Sequence, residues 1–235
     1  MFEQQNTYVA TSAPTTAEVS RFFSKVYGWM TAGLALTALA AFFTLSNESL
    51  LNLIFGNRMV FYGLILGELG LVIALSAAIN KVSAQTATLM FLGYSALNGV
   101  TFAAIFLIYT SSSIASTFFV ASGTFAAMSM YGYATKKDLT GWGSFLFMGL
   151  IGIIIASVVN IFLQSTMIHW MVSYIGVLVF VGLTAYDTQK IKRMGEAGFA
   201  DGESRHKAAI LGALTLYLDF INLFLMLLRV MGDRR

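Results

Sequence analysis

The chain has 235 residues, of which 57% are hydrophobic and only 11% carry a charge. Soluble domains carry charges on about a quarter of their residues, so this composition predicts a polytopic membrane protein and excludes disordered, collagenous and disulfide-stapled chains. With no Cys, two His and a net charge of +3, the sequence offers no thiolate chemistry, no His-rich metal site and no basic surface for nucleic acid.

The first 20 residues, MFEQQNTYVATSAPTTAEVS, are mostly polar and contain the only proline, Pro14. They lack the basic start and the apolar run of a signal peptide. We interpret residues 1–20 as a flexible polar tail. Residues 21–235 are predicted to form a single transmembrane domain that inserts through its own first helix.

Seven apolar segments follow, each close to the length of about 20 residues that a helix needs to cross the hydrocarbon of a bilayer. They cover residues 27–45, 59–78, 86–109, 114–133, 142–162, 168–186 and 208–230. These segments are continuously apolar and do not alternate, which favours helices over the strands of a barrel. The predicted fold is therefore an all-α bundle of seven transmembrane helices.

The basic residues predict the orientation of this bundle, because Lys and Arg concentrate on the cytoplasmic side. A cytoplasmic N-terminus places ten of them inside, namely Arg21, Lys25, Lys81, Lys136, Lys137, Lys190, Lys192, Arg193, Arg205 and Lys207. Arg229, Arg234 and Arg235 then lie on the periplasmic side, together with Arg58. In a rival topology the last apolar segment enters and leaves the membrane on the inner face.

Three acidic residues lie in or at the edge of the apolar segments: Glu68, Asp187 and Asp219. A carboxylate at mid-membrane costs roughly 2.5–3.5 kcal/mol on insertion scales, and intramembrane acids commonly mark a functional site. Asp219 is flanked by apolar residues, and Asn222 shares its helix face three residues later. Asp187 could instead be a solvated helix end, and Glu68 could simply hydrogen-bond across helices.

Two of these carboxylates could work as a pair. In a medium of low dielectric, two neighbouring carboxylates cannot both ionise cheaply, so they share a proton and titrate as a unit. Such a pair can respond to pH near neutrality, and it can attract a hard cation such as Ca2+ weakly. The sequence by itself does not show that Asp187 and Asp219 meet.

Two long motifs carry a resemblance to a known family: GLTAYDTQKIK at 182–192 and GALTLYLDFINLFLMLLRVMG at 212–232. Together with VYGWM at 26–30, YSALNGVTF at 94–102 and MYGYATKKDL at 130–139, they resemble the Bax inhibitor-1 family, and within it the bacterial inner-membrane branch. The resemblance covers roughly residues 20–233. It implies seven helices with the last helix in the centre of the bundle.

The resemblance also implies a function, a pH-sensitive Ca2+ leak channel in the bacterial inner membrane. Its aspartate pair, the pH sensor, corresponds to Asp187 and Asp219, and the family's second-helix acid corresponds to Glu68. Ca2+ and H+ would be the ions handled, and no cofactor is required. In the bacterial type a basic residue near the inner end of the second helix latches onto the pair. Only Lys81 stands there, and a Lys cannot form the bidentate fork of an Arg.

Three alternatives stay open beside the channel. The chain could regulate the membrane-anchored protease FtsH, to which bacterial relatives are linked, or it could be a proton-coupled transporter of small molecules. An intramembrane aspartyl protease is disfavoured. Presenilin-type enzymes carry Gly-x-Gly-Asp where this chain has Leu216, Tyr217, Leu218 and Asp219, and they need a Pro-Ala-Leu segment. We therefore expect no enzymatic activity, and no nucleotide-binding loop suggests a pump.

Overall fold

The computed structural model describes residues 14–235, and this part of the chain forms eight α-helices. They are α1 (Thr16–Leu45), α2 (Glu48–Phe55), α3 (Arg58–Ala78), α4 (Ala84–Ile108), α5 (Ser111–Ala134), α6 (Thr140–Leu163), α7 (Thr166–Ala197) and α8 (Gly202–Met231). All except α2 are long and apolar enough to cross a membrane, which makes seven. The predicted fold is thus confirmed. The short helix α2 was not predicted, and Asn47 caps it by accepting a hydrogen bond from Leu50 N at 3.1 Å.

The start of α1 lies earlier than the sequence suggested. Thr15 and Glu18 form a capping box, in which Thr15 N donates to Glu18 Oε2 at 2.9 Å and Glu18 N donates to Thr15 Oγ1 at 3.3 Å. Two backbone donors are satisfied in this way, so the helix begins at Thr16 although the segment is polar. The last five residues of the predicted tail are therefore helical. Residues 1–13 of that tail lie outside the described residues.

The last helix, α8, is the centre of the bundle. Of its most apolar window 67% is buried, against 6% for α3, 11% for α6 and at most 33% for the other spans. It packs against α1, α4, α5 and α7. Its core side chains include Leu216, Tyr217 and Leu223, all with no measurable exposure. The central position of the last helix, which the resemblance implied, agrees with this burial.

The ends of α8 show that it passes along the whole bundle. Near its start, Lys207 Nζ donates to Val82 O at 3.1 Å, in the turn before α4. After its end, Arg235 N donates to Ile108 O at 2.9 Å, where α4 ends. A helix of 30 residues is about 45 Å long, enough for a full crossing. The structure therefore favours seven crossings over a re-entrant last segment.

Two ends of the bundle can now be defined. The proximal end holds the start of α1 and the connections 79–83, 135–139 and 198–201. The distal end holds the connections 109–110 and 164–165 together with the C-terminal residues 232–235. The N-terminal and C-terminal ends of the described chain consequently lie at opposite ends of the bundle.

Candidate functional site

A cavity of about 910 Å³ opens between α3, α6, α7 and α8, and both Asp187 and Asp219 line it. We call it the aspartate cavity. Most of its wall is apolar. Its polar lining consists of Ser144, Ser157, Tyr186, Asp187, Lys190, Thr215, Asp219, Asn222 and Arg229. The two acids that the sequence singled out in the last two segments are therefore brought into one cavity, with Asn222 beside them.

Asp219 is the most deeply placed charged residue of the site. It projects from the central helix and is only 4% exposed. Its Oδ2 atom is buried and has no hydrogen-bond partner in the part of the chain that the structure describes. A buried carboxyl oxygen without a partner costs free energy. Since Asp219 also lines a cavity, this oxygen is available to a proton, a water or an ion that enters there.

Asp187 lies on α7, which continues for ten residues beyond it, to Ala197. The side chain is 8% exposed, so the alternative that Asp187 is a solvated helix end is wrong. The helix goes on because the segment that follows, TQKIKRMGEA, contains good helix formers and no Pro. Asp187 and Asp219 line the same cavity. That the two carboxyl groups approach within hydrogen-bond range stays a prediction.

Basic residues mark two places on the cavity wall: Lys190 on α7 and Arg229 on α8. Lys190 stands three residues after Asp187, hence on the same face of the helix, and both residues line the cavity. None of the ion pairs among residues 14–235 involves either aspartate. The sequence analysis missed Lys190 as a neighbour of the pair, although the spacing on one helix was available.

Lys81, the candidate latch, lies elsewhere. It is exposed in the turn between α3 and α4, and it does not line the aspartate cavity. The helix α3 ends at Ala78, before Lys81 is reached. The structure therefore does not bring Lys81 to the aspartate pair, and Lys190 is the lysine on the cavity wall beside it.

Glu68 belongs to a second polar region. Thr101 Oγ1 donates to Glu68 Oε1 at 2.9 Å, and Asn98 Nδ2 donates to Tyr94 Oη at 3.1 Å. At the other end of this region Thr37 Oγ1 lies 2.6 Å from Tyr217 Oη. We call it the polar network; it comprises Thr37, Glu68, Tyr94, Ser95, Asn98, Thr101 and Tyr217. The alternative that Glu68 hydrogen-bonds to a neighbouring helix agrees with this geometry.

The central helix separates the two regions. Tyr217 and Asp219 are two residues apart, which is about 200° around a helix of 3.6 residues per turn. The helix α8 therefore presents Tyr217 to α1 and α4 and Asp219 towards the opposite side of the bundle. Glu68 does not line the aspartate cavity, so the structure places it apart from the two aspartates. That all three acids lie on one ion pathway stays a prediction.

Three further polar residues, which the sequence analysis missed, lie on α1, α5 and α7 next to the Asp187 region. Thr188 Oγ1 on α7 donates to Ser129 Oγ on α5 at 3.4 Å. Tyr27 on α1 and Ser129 line a common cavity, and Tyr27 Oη is buried with no hydrogen bond in the described chain. Thr188 follows Asp187 directly, but nothing in the sequence relates Tyr27 or Ser129 to this site.

The described residues contain no group of three or more His, Cys, Asp or Glu that could hold a metal ion. Ca2+ takes six to eight oxygen ligands, and the pair offers two carboxylates with Asn222 nearby. Water would have to supply the remaining ligands. The pair by itself has too few ligands for tight binding of Ca2+, and the weak Ca2+ site at Asp187 and Asp219 stays a prediction.

Comparison with known proteins gives consistent results along the chain. The sequence pattern of the family described as "Inhibitor of apoptosis-promoting Bax1" matches residues 19–235. The inner membrane protein YbhL of Escherichia coli is 56% identical over 220 residues, covering 93% of this chain and 94% of that protein. An uncharacterised protein of Borreliella burgdorferi is 50% identical over 216 residues, covering 92% and 93%. One from Rickettsia prowazekii is 44% identical, covering both chains fully.

Proposed function

The chain belongs to the Bax inhibitor-1 family and is a multi-pass inner-membrane protein, and we propose that it is a pH-sensitive leak channel for Ca2+. In this proposal Asp187 and Asp219 share a proton, and the charge of the pair sets how readily a cation enters the aspartate cavity. The observation that supports it most directly is the buried Asp219 Oδ2 atom, which has no partner among residues 14–235.

The electrostatics of the cavity favour a proton-dependent device. A fully ionised pair would place two like charges in a largely apolar wall, which is expensive. A cation or a proton relieves that repulsion, so the two compete for the same oxygens. Because the pair and Asn222 supply only part of a calcium shell, the ion would keep much of its water and could leave again, as conduction requires.

The orientation belongs to the same proposal. Ten of the 14 Lys and Arg residues lie in the connections or helix ends on the proximal side, which favours a cytoplasmic proximal end and a periplasmic C-terminus. A reporter fused after Lys137 should then report the cytoplasm, and one fused at Arg235 the periplasm. The opposite pair of results would reverse the topology.

The decisive experiment measures Ca2+ flux into liposomes that contain the purified chain, from pH 6 to pH 8. We expect flux that depends on pH in the wild type and a flattened pH profile in Asp219→Asn. Asp187→Asn should do the same, because a coupled pair loses its behaviour with either member. The double variant should add little to either single one.

Asp201→Asn is the matched control, since it makes the same chemical change outside the spans. Asp201 caps α8 by accepting a hydrogen bond from Ser204 N at 2.6 Å, and Asn caps helices about as well. This variant should keep the wild-type profile. Independent and additive effects of the two aspartates would exclude the shared proton.

The alternatives give different results in the same assay. A chain that acts only through contacts with a protease such as FtsH would carry no flux in any variant. A proton-coupled transporter would move its substrate and show no Ca2+ leak. The proposal assigns no catalytic step to the pair, so no peptide should be cleaved by the reconstituted protein.

A further inference from the structure

A second cavity, of about 630 Å³, lies at the distal end between the ends of α4, α6 and α8 and the start of α7. We call it the distal crevice. Its polar wall includes Asn160, His169, Arg229 and Arg234, and the rest of its lining is mainly aliphatic. Three of these four residues are basic in type. They come from α7, α8 and the C-terminal segment, so the fold assembles this group from distant positions.

The C-terminal segment is held in place and carries Arg234 to the crevice. Thr110 N donates to Asp233 O at 3.1 Å and Arg235 N donates to Ile108 O at 2.9 Å, so residues on both sides of Arg234 are fixed to the end of α4. The guanidinium group of Arg234 lies 5.9 Å from the centre of the Tyr109 ring. A terminus that was free in solution would not present this side chain at a defined position.

No acidic residue lines the crevice itself. Arg229 also borders the aspartate cavity, but Asp219 lies ten residues away on α8, which is about 15 Å along the helix. None of the ion pairs in the described chain involves Arg229 or Arg234, and no Asp or Glu is part of the lining. Asp233, the neighbour of Arg234, accepts a hydrogen bond from Ser113 Oγ at 3.3 Å and does not line the crevice. His169, Arg229 and Arg234 therefore share the wall of one crevice in which no carboxylate is present.

Arg229 and Arg234 both line the distal crevice among aliphatic side chains, an arrangement that favours binding of an anion. The planar guanidinium group can bind a phosphate through two parallel hydrogen bonds. The exposed rings of Trp170 and Tyr174 stack at a centroid distance of 5.8 Å beside His169. Trp and Tyr concentrate at the level of lipid headgroups. The crevice therefore combines phosphate-binding donors, a wall for an acyl chain and a position at headgroup level.

We propose that the distal crevice binds the phosphate group of an anionic phospholipid, held by Arg229 and Arg234 with His169 and Asn160 beside it. The inference does not depend on the proposed ion flux. A lipid is favoured over free phosphate because the aliphatic wall matches an acyl chain and gives nothing to an inorganic ion.

The test titrates the purified full chain in detergent with phosphatidylglycerol and follows its thermal unfolding. Phosphatidylglycerol should raise the midpoint by several degrees. Arg229→Gln and Arg234→Gln should each weaken the apparent affinity about tenfold or more, because each removes a charge-assisted bond to phosphate. Arg234 is exposed, so its replacement tests the site even if Arg229→Gln folds poorly.

Arg58→Gln is the matched control, because Arg58 begins α3 at the same end of the bundle, is exposed, and does not line the crevice. It should bind phosphatidylglycerol as the wild type does. An equal shift with phosphatidylcholine, or an equal loss in Arg58→Gln, would overturn the site. Stabilisation by inorganic phosphate alone at the same concentration would overturn the assignment to a lipid.

Discussion

The polar network and the aspartate cavity are both buried and both touch α8. One network atom, Asn98 Oδ1, has no partner among residues 14–235, but the Thr37–Tyr217 end of the network differs from the cavity in its hydrogen bonding. In the network, Tyr217 can donate to Thr37 Oγ1, which in turn donates to Ser95 O at 2.8 Å. In the cavity, Asp219 Oδ2 has no partner within residues 14–235. Satisfied polar groups fasten helices together, whereas an unsatisfied one beside a cavity is available for exchange.

The largest loss of stability is expected from a side chain inserted where α1 and α4 pack closely together. These two helices carry most of the polar network. A Cβ atom at Gly99 would overlap Thr37 O and crowd Ala40 Cβ at 2.7 Å. Gly99→Val should cost more than the ~1–3 kcal/mol typical of overpacked cores, because the obstacle includes backbone. Folded yield and thermal unfolding in detergent measure this loss.

Gly93→Val is the control for that variant. Gly93 lies on the same helix, and a Cβ there meets no neighbouring atom within 4 Å. Both changes carry the same intrinsic cost of Val in a helix, so the difference between them reports packing alone. Equal stability of the two variants would contradict the close approach of α1 and α4.

The second prediction concerns the hydrogen bond between Thr37 and Tyr217. Thr37→Val leaves the fully buried Tyr217 hydroxyl without its acceptor, and Tyr217→Phe removes the donor. Each should cost about 1–3 kcal/mol of unfolding free energy, while the double variant should cost less than the sum. Thermal or denaturant unfolding of the three variants forms the cycle.

Thr215→Val provides the comparison for Thr37→Val. Thr215 Oγ1 donates only to Leu211 O of its own helix, at 3.0 Å, so its loss should change stability little. If the two Thr→Val variants were equally stable, the hydrogen bond between Thr37 and Tyr217 would not stabilise the packing of the helices.

Much of the fold could be predicted from the sequence, because about twenty consecutive apolar residues have few alternatives to a membrane-spanning helix. The sequence also showed that Asp187 and Asp219 are unusual, because each is an acid in or at the edge of an apolar segment. The sequence did not predict that Glu68 lies apart from the two aspartates, because this depends on which neighbouring helix each face of α8 contacts. Lys81 was selected by its place near a predicted helix end, but it lies in an exposed turn and does not line the cavity.

The third prediction moves to the aspartate cavity and expects the opposite behaviour. Asp219→Asn removes a buried carboxyl group that has an unpartnered oxygen. The free energy of unfolding at neutral pH should therefore be unchanged or slightly higher. The same variant should flatten the pH profile of flux. A loss of stability as large as that of Thr37→Val would mean that Asp219 stabilises the fold, and would remove the contrast between the two regions.

The smallest effect is expected from a carboxylate that is neither in the network nor in the cavity. Asp138 lies in the connection between α5 and α6, with a side chain that is 67% exposed. Thr140 donates to its Oδ1 through the hydroxyl group at 2.6 Å and through the backbone N–H at 2.9 Å, and Arg193 donates at 2.7 Å. These hydrogen bonds, those from Thr140 first, hold the pKa of Asp138 well below its usual range.

A pKa that is lower in the folded state gives a contribution to stability that is present above the unfolded value of about 4 and is lost as the pH falls through the folded value. Between pH 6 and pH 8 that contribution is constant. Asp138→Asn should therefore lower the unfolding midpoint only slightly, by the same amount throughout this range, and the gap to the wild type should close only below about pH 4. Its flux profile should match the wild type, because Asp138 stays ionised where the aspartate pair is proposed to titrate. A flattened profile in this variant would mean that the pH response arises at the proximal surface, outside the aspartate cavity.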